Sequence, residues 1–273
     1  MPPVTPPPEI EALQAERRRA LRFEPPSPIA DAGEAAAFVR ERRIVCVSAS
    51  RTGLPALTEA IAGRPLPGSW MADPEVHRVY EVLCDLDERG KDLVSGAIVN
   101  GKRAMVDASL APAVERIASD PRRREGAVRV LPAASRALLA RIDAEGAVRA
   151  DRLGLPADEV RAARLALERA LLVVSDELHT ESGYHTAVVR PWSASPFARD
   201  PAAAAAAARL DLAAAEEALL LAALRSAVVV RTRDARRWFA FAPARIDALE
   251  ARGLVARIGS GRTEHLACRT SMV

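Results

Sequence analysis

Sulfur, lysine and glutamine are scarce in this chain, and each scarcity removes a class of explanation. Three cysteines, Cys46, Cys84 and Cys268, stand far apart in 273 residues. That spacing fits buried thiols in a reducing compartment and supplies neither a disulfide framework nor a zinc-ligand set. Lysine occurs only at Lys91 and Lys102, so nearly all positive charge is arginine, and with alanine also in excess a single arginine is a weak signal. Basic residues number 39 against 36 acidic ones, a net charge of +3. A polyanionic partner must therefore be recognised by local clustering rather than by overall charge. No apolar run, Ala202 to Ala208 included, approaches the ~20 residues of a membrane span, and no export signal is evident. A cytoplasmic chain with no membrane contact is expected. Gly-x-Ser-x-Gly, reactive-cysteine and Gly-rich phosphate-loop signatures are missing, and His179 and His185 lack a third ligand at useful spacing. Neither a cofactor nor a metal is expected.

What is present is clearest near the C-terminus. Residues Leu212 to Arg269 spell helix, short strand, helix, helix and a two-stranded wing, the plan of a winged helix-turn-helix. Leu219, Leu220, Ala223 and Leu224 share one helical face, and Val228 to Val230 form a β-branched run. Thr232 stands where an N-cap belongs, Pro243 opens the next helix and Gly253 closes it. Gly259-Ser260-Gly261 divides two strand-like runs. An earlier stretch mirrors this one: Leu167 to Val173 aligns with Leu249 to Val255, and Val148-Arg149 with Val230-Arg231, both 82 residues further on. A displacement of that size means two copies of one supersecondary unit.

The remainder divides around these copies. Met1 to Pro8 is proline-rich and expected to be disordered. Glu9 to Phe23 reads as a short basic amphipathic helix, either an arm that touches phosphate or a helix docked on the body. Helices are expected around Gly33–Arg43, Leu54–Gly63, Pro74–Asp87 and Leu110–Ser119, with strand-like runs at Ile44–Ser50 and Arg103–Ala108 and an Asn100-Gly101 turn. Asp92–Val99 is either helical or extended. Asp120 to Gly126 reads as a basic hinge, and Ser195 to Asp211 as a Pro- and Ala-rich connector. The expected class is mainly α with short β-hairpins, α+β, built from tandem winged helices. Its divisions are residues 1–30 as tail and arm, 31–120 as an α-rich and winged-helix-like domain, 121–192 as the first clear winged helix, 193–210 as linker and 211–273 as the second.

A helix-turn-helix presents the start of its second helix to the major groove, while a wing reaches phosphate. Arginine suits both tasks because its guanidinium forks onto phosphate or guanine. The first clear unit offers Arg161 and Arg164, partly cancelled by Glu159, with a wing of Thr180, Glu181 and Ser182. The second offers Arg231, Arg233, Arg236 and Arg237, then Arg245 on the presented helix and Arg262 on the wing. Double-stranded DNA is the expected partner; a protein-binding module is the competing reading of the same fold. Trp238 and Phe239 read as core.

The layout resembles the AlkZ-like (YcaQ-type) winged-helix DNA glycosylase superfamily from about Phe38 onward. The resemblance rests on FVRERRIVCVSASRTGLPALTEAIAGRP, EVLCDLDERGKDLVSGAIVNGKRAMVDASLAP, GYHTAVVRPWSASPF and the closing unit. It implies a scaffold that embraces DNA and excision of alkylated bases through a Gln-x-Gln or Gln-x-Asp motif. The only glutamine here is Gln14, so that motif is lacking. The enzyme alternative is a DNA glycosylase that cleaves N-glycosidic bonds with a carboxylate, and the resemblance places Asp85 nearest that role, beside Asp87 and Asp92.

Overall fold

The computed structural model describes residues 8–24, 28–48, 52–66, 69–90, 92–179 and 185–269. The proline-rich start and the wing residues Thr180, Glu181 and Ser182 lie outside them. The protein is mainly helical with small antiparallel sheets.

Helix α1 (Pro8–Ala20) opens the described chain. A first run then comprises α2 (Ala32–Arg42), β1 (Ile44–Cys46), α3 (Leu57–Ala62), α4 (Val76–Arg89), β2 (Leu93–Val99) and β3 (Lys102–Asp107). Helices α5 (Ala111–Ser119) and α6 (Pro121–Val130) lead to the second run, α7 (Ala133–Glu145), β4 (Val148–Arg149), α8 (Ala157–Arg169), β5 (Val173–His179) and β6 (His185–Pro191). Between β4 and α8 stands a single 3-10 turn, Ala150–Arg152. After the short helices α9 (Pro196–Arg199) and α10 (Pro201–Ala207) comes α11 (Leu212–Ala227). It starts the third run, completed by β7 (Val229–Arg231), α12 (Thr232–Ala235), α13 (Ala242–Ala251), β8 (Val255–Ile258) and β9 (His265–Cys268).

The three runs share one wiring. Their sheets have the orders β1-β3-β2, β4-β6-β5 and β7-β9-β8, so each time the last strand is central. The register is Ile44 on Val106, Val148 on Val189 and Val229 on Ala267. The turn from first helix to first strand is also shared: Arg43, Gly146 and Val228 all have positive φ, at 68°, 73° and 62°. Pattern reading detects two copies, and the third lies in residues 32–107.

The chain forms two compact units, one of Met1–Val94, Ala104–Leu110 and Glu217–Val273, the other of Ser95–Arg103 and Ala111–Glu216. In the first, Phe38, Val39, Val45, Leu57, Ile61, Val79 and Leu86 make one core cluster. The Ser226 hydroxyl donates to Ile44 O at 2.5 Å and Trp238 Nε1 to Thr52 O at 2.7 Å, tying the first and third runs together. In the second unit Leu138, Ile142, Val148, Leu167, Leu172 and Val189 form the core, and Trp192 stacks on Phe197 at 5.7 Å.

Three local readings change on folding, and one open alternative is decided. Residues 121–130 are helix α6 rather than a hinge, because the Asp120 carboxylate caps the Arg123 N–H at 2.9 Å and Pro121 fits the first turn. The connector contains α9 and α10, with Phe197, Ala203 and Ala207 buried. Arg231, not Thr232, is the N-cap of α12, and the buried Thr232 hydroxyl has no partner among the described residues. Asp92–Val99 resolves as extended chain, and Asn100 and Gly101, with φ of 50° and 73°, make the mirror-image turn that a two-residue hairpin needs.

Candidate nucleic-acid interface

The helix that precedes the hairpin in each run, α4, α8 or α13, carries the candidate reading residues, and the three helices differ in charge. On α4 the exposed side chains include Glu81, Asp85, Asp87 and Glu88. Asp85 therefore sits in solvent among like charges, a setting that repels phosphate. Asp92 follows the helix and lies 4.0 Å from Arg40.

Helix α8 begins with Asp158 and Glu159 in its first turn. Arg161 pairs with Asp158 at 2.7 Å and stays exposed. Arg164 lies 2.8 Å from Glu168, whose side chain is only 4% exposed, so it neutralises a buried carboxylate one turn away. The following hairpin pairs Glu177 with His185 and Asp176 with Arg190.

The third run gathers most of the candidate arginines, Arg231, Arg233, Arg236, Arg237, Arg245 and Arg262. Arg231 is exposed at the end of β7, opposite His265 on β9. Arg233 is exposed and 3.7 Å from Asp234, and Arg237 is exposed. Arg236 reaches the Asp247 carboxylate at 3.3 Å, while Arg245 is half-buried on α13. Arg262 lies in the 3-10 turn Gly261–Thr263 between β8 and β9. The folded chain adds Arg257 on β8, which joins Glu250 at 2.6 Å, Asp247 at 2.5 Å and Glu264 at 3.6 Å. Asp247 and Glu250 are three residues apart and share a helix face, the sequence clue to this network. Asp247 and Glu250 thus offset part of the positive charge that the arginines of the third run supply.

Helix α1 docks on the body of the first unit. Ile10 and Leu13 are buried, and Arg17 Nη1 donates to the carbonyls of Ala227 and Val229 at 2.6 and 3.0 Å. Those carbonyls belong to the strained turn around Val228, so the guanidinium fixes the start of β7. Beside it opens a cleft of about 500 Å³ within the first unit, lined by Gln14, Arg17, Phe23, Glu59, Arg231 and His265 among others. Glu59 Oε1 accepts the Leu66 N–H at 3.1 Å. Burial raises the Glu59 carboxyl above its usual range, against the opposing pull of that N–H and of Arg17. The Nδ1 of His265 is 2.7 Å from Thr263 O, so in the neutral ring it donates there and Nε2 is the acceptor. Gln14, notable in the sequence only for being alone, is the amide in this cleft.

Among the described residues no cluster of His, Cys, Asp and Glu is arranged to hold a metal ion, and no helix is long and apolar enough to cross a membrane. No family model and no curated protein matches the chain. Among solved structures, a DNA glycosylase, AlkZ, from Streptomyces sahachiroi is similar at a TM-score of 0.46 and 11% identity, over 94% of this chain and 69% of that one.

Proposed function

We propose that the chain is a tandem winged-helix protein that binds double-stranded DNA, in a role related to recognition of damaged or alkylated DNA. The observation that supports it is the strand wiring repeated three times, helix, strand, helical segment, helix, hairpin, with the last strand central each time and the helical segment shortened to a 3-10 turn in the second run. A winged helix, in which a hairpin stands beside a presented helix, would have this plan, and that agreement supports the reading. On this reading residues 31–120, 121–192 and 211–273 are successive winged helices, preceded by the tail and arm of 1–30. The third supplies the grip, through Arg231, Arg233, Arg237, Arg245 and Arg262, with backbone contact outweighing base reading because α13 also carries Asp247 and Glu250. Arg161, Arg164 and Arg236 contribute less, since each faces a carboxylate within 3.4 Å.

Electrophoretic mobility of a labelled duplex tests the reading. Replacing Arg233, Arg237 and Arg245 together by alanine should weaken binding to every duplex sequence and reduce its salt dependence, with folding checked by thermal melting. Binding unchanged in this triple variant removes the third run from the interface.

A second reading, a protein-binding module, is favoured by the carboxylates on the exposed face of α4 and by the ion pairs of α8 and α13. It predicts a chain that ignores DNA at low salt. The enzyme alternative, an N-glycosyl hydrolase using Asp85, requires base release from alkylated DNA that Asp85→Asn abolishes.

A further inference from the structure

We propose that the cleft of the first unit binds a single nucleotide, with the base edge on Gln14 and Glu59 and the phosphate on Arg231. The site is assembled from distant parts of the chain: α1 supplies Gln14, α3 supplies Glu59, and β7 and β9 supply Arg231 and His265. Its floor is built rather than incidental, because Arg17 is held by two backbone carbonyls and Glu59 is anchored through one oxygen by the Leu66 N–H. The other oxygen of Glu59, the Gln14 amide, the Arg231 guanidinium and Nε2 of His265 make no hydrogen bond with the described residues. These groups line one cleft and include both donors and acceptors.

The combination selects among ligands. A cleft of about 500 Å³ has the capacity for one small organic molecule. Phe23 and the flanking apolar side chains suit a flat ring. A carboxyl group and a primary amide match the mixed donor and acceptor edge of a nucleobase, as glutamine does for adenine. A bare anion would meet the carboxylates of Glu59 and Asp234, and a lipid chain would leave the polar groups unpaired. Arg18 and Arg231 both line the cleft with exposed guanidinium groups, and since Arg18 is engaged by Glu24 at 2.6 Å, Arg231 is the one assigned to a phosphate.

This inference deepens the DNA reading, and its test runs on mononucleotides so that the two fail separately. The full chain is titrated calorimetrically with each of the four deoxynucleoside 5′-monophosphates and with inorganic phosphate. At least one nucleotide should bind saturably with Kd below about 1 mM, and inorganic phosphate should not. Gln14→Ala and Arg231→Ala should each weaken binding tenfold or more, while Arg129→Ala on the exposed face of α6 should not change it. In the unsubstituted chain the His265 ring resonances should shift on nucleotide addition, a readout that needs no variant. The proposal is overturned if no nucleotide saturates, if phosphate binds equally well, or if His265 is unmoved by a nucleotide that does bind. Mononucleotide binding that persists while duplex binding fails upholds the cleft and removes the DNA reading.

Discussion

Gly253 and Leu171 occupy corresponding positions in two runs, 82 residues apart, and both have positive φ, 71° and 52°. The backbone demand is identical, yet one run meets it with glycine and the other with a buried leucine whose packing offsets the strain. Sequence comparison sees a mismatch where the structures agree. At Gly253 nothing lies within 4 Å of an added Cβ, so Gly253→Ala isolates the backbone effect. It should cost about 1 kcal/mol, read as a lower melting temperature. At Gly53, with φ of 79°, a Cβ would stand 2.7 Å from Val230 Cγ2. Gly53→Ala should therefore be the more damaging substitution, and equal losses at the two sites would contradict this account. Another residue-scale effect is electrostatic. Burial raises the Glu115 carboxyl above its ordinary range, while the Trp192 Nε1–H, donated at 2.8 Å, and Arg124 pull it down. The folded chain thus holds this proton more tightly than the unfolded one, and stability is lost as pH rises from the unfolded value, about 4.3, through the raised folded one. Glu115→Gln keeps an acceptor for Trp192 without the charge. Its stability relative to the unsubstituted protein should improve from pH 4 toward 7 in chemical denaturation; a constant difference would show that ionisation is not involved.

At the scale of elements, what was legible followed from strong local grammar. The helix ended by Gly63, the Asn100-Gly101 hairpin and the core face of Leu219, Leu220, Ala223 and Leu224 all appear as expected. Residues 121–130 misled because three consecutive arginines after an acid and a proline look like solvated chain. Folding gives them other work: Asp120 caps α6, and Arg123 donates to Ala170 O at 3.0 Å. Asp120→Ala should remove about 1 kcal/mol, with α6 fraying first in hydrogen exchange; unchanged protection of residues 123–126 would show that the cap is dispensable. Its carboxyl is held below the usual range, chiefly by the Arg123 backbone N–H. The contribution is therefore present above the unfolded carboxylate pKa and fades as pH falls through the lower folded one. The cleft was not legible because its groups are each ordinary alone. Gln14 and Glu59 are 45 residues apart in sequence, and Arg231 lies far beyond both. Only the docking of α1 through Ile10, Leu13 and Arg17 brings them to one place.

At the scale of the whole molecule, a net charge of +3 gives little general attraction for DNA. On the proposed reading, affinity would come from a few guanidinium groups on the helices and hairpins, while several arginines are offset by Asp247, Glu250, Asp158 and Glu168. Modest, sequence-tolerant binding to DNA is therefore expected. Fluorescence anisotropy of a labelled duplex, titrated with the full chain across a salt series, tests this most directly. Log affinity should fall linearly with log salt, by about 0.9 for each phosphate neutralised, with a slope reflecting a few contacts and reduced in the Arg233, Arg237 and Arg245 triple alanine variant. No change in anisotropy at micromolar protein and low salt would contradict the central claim.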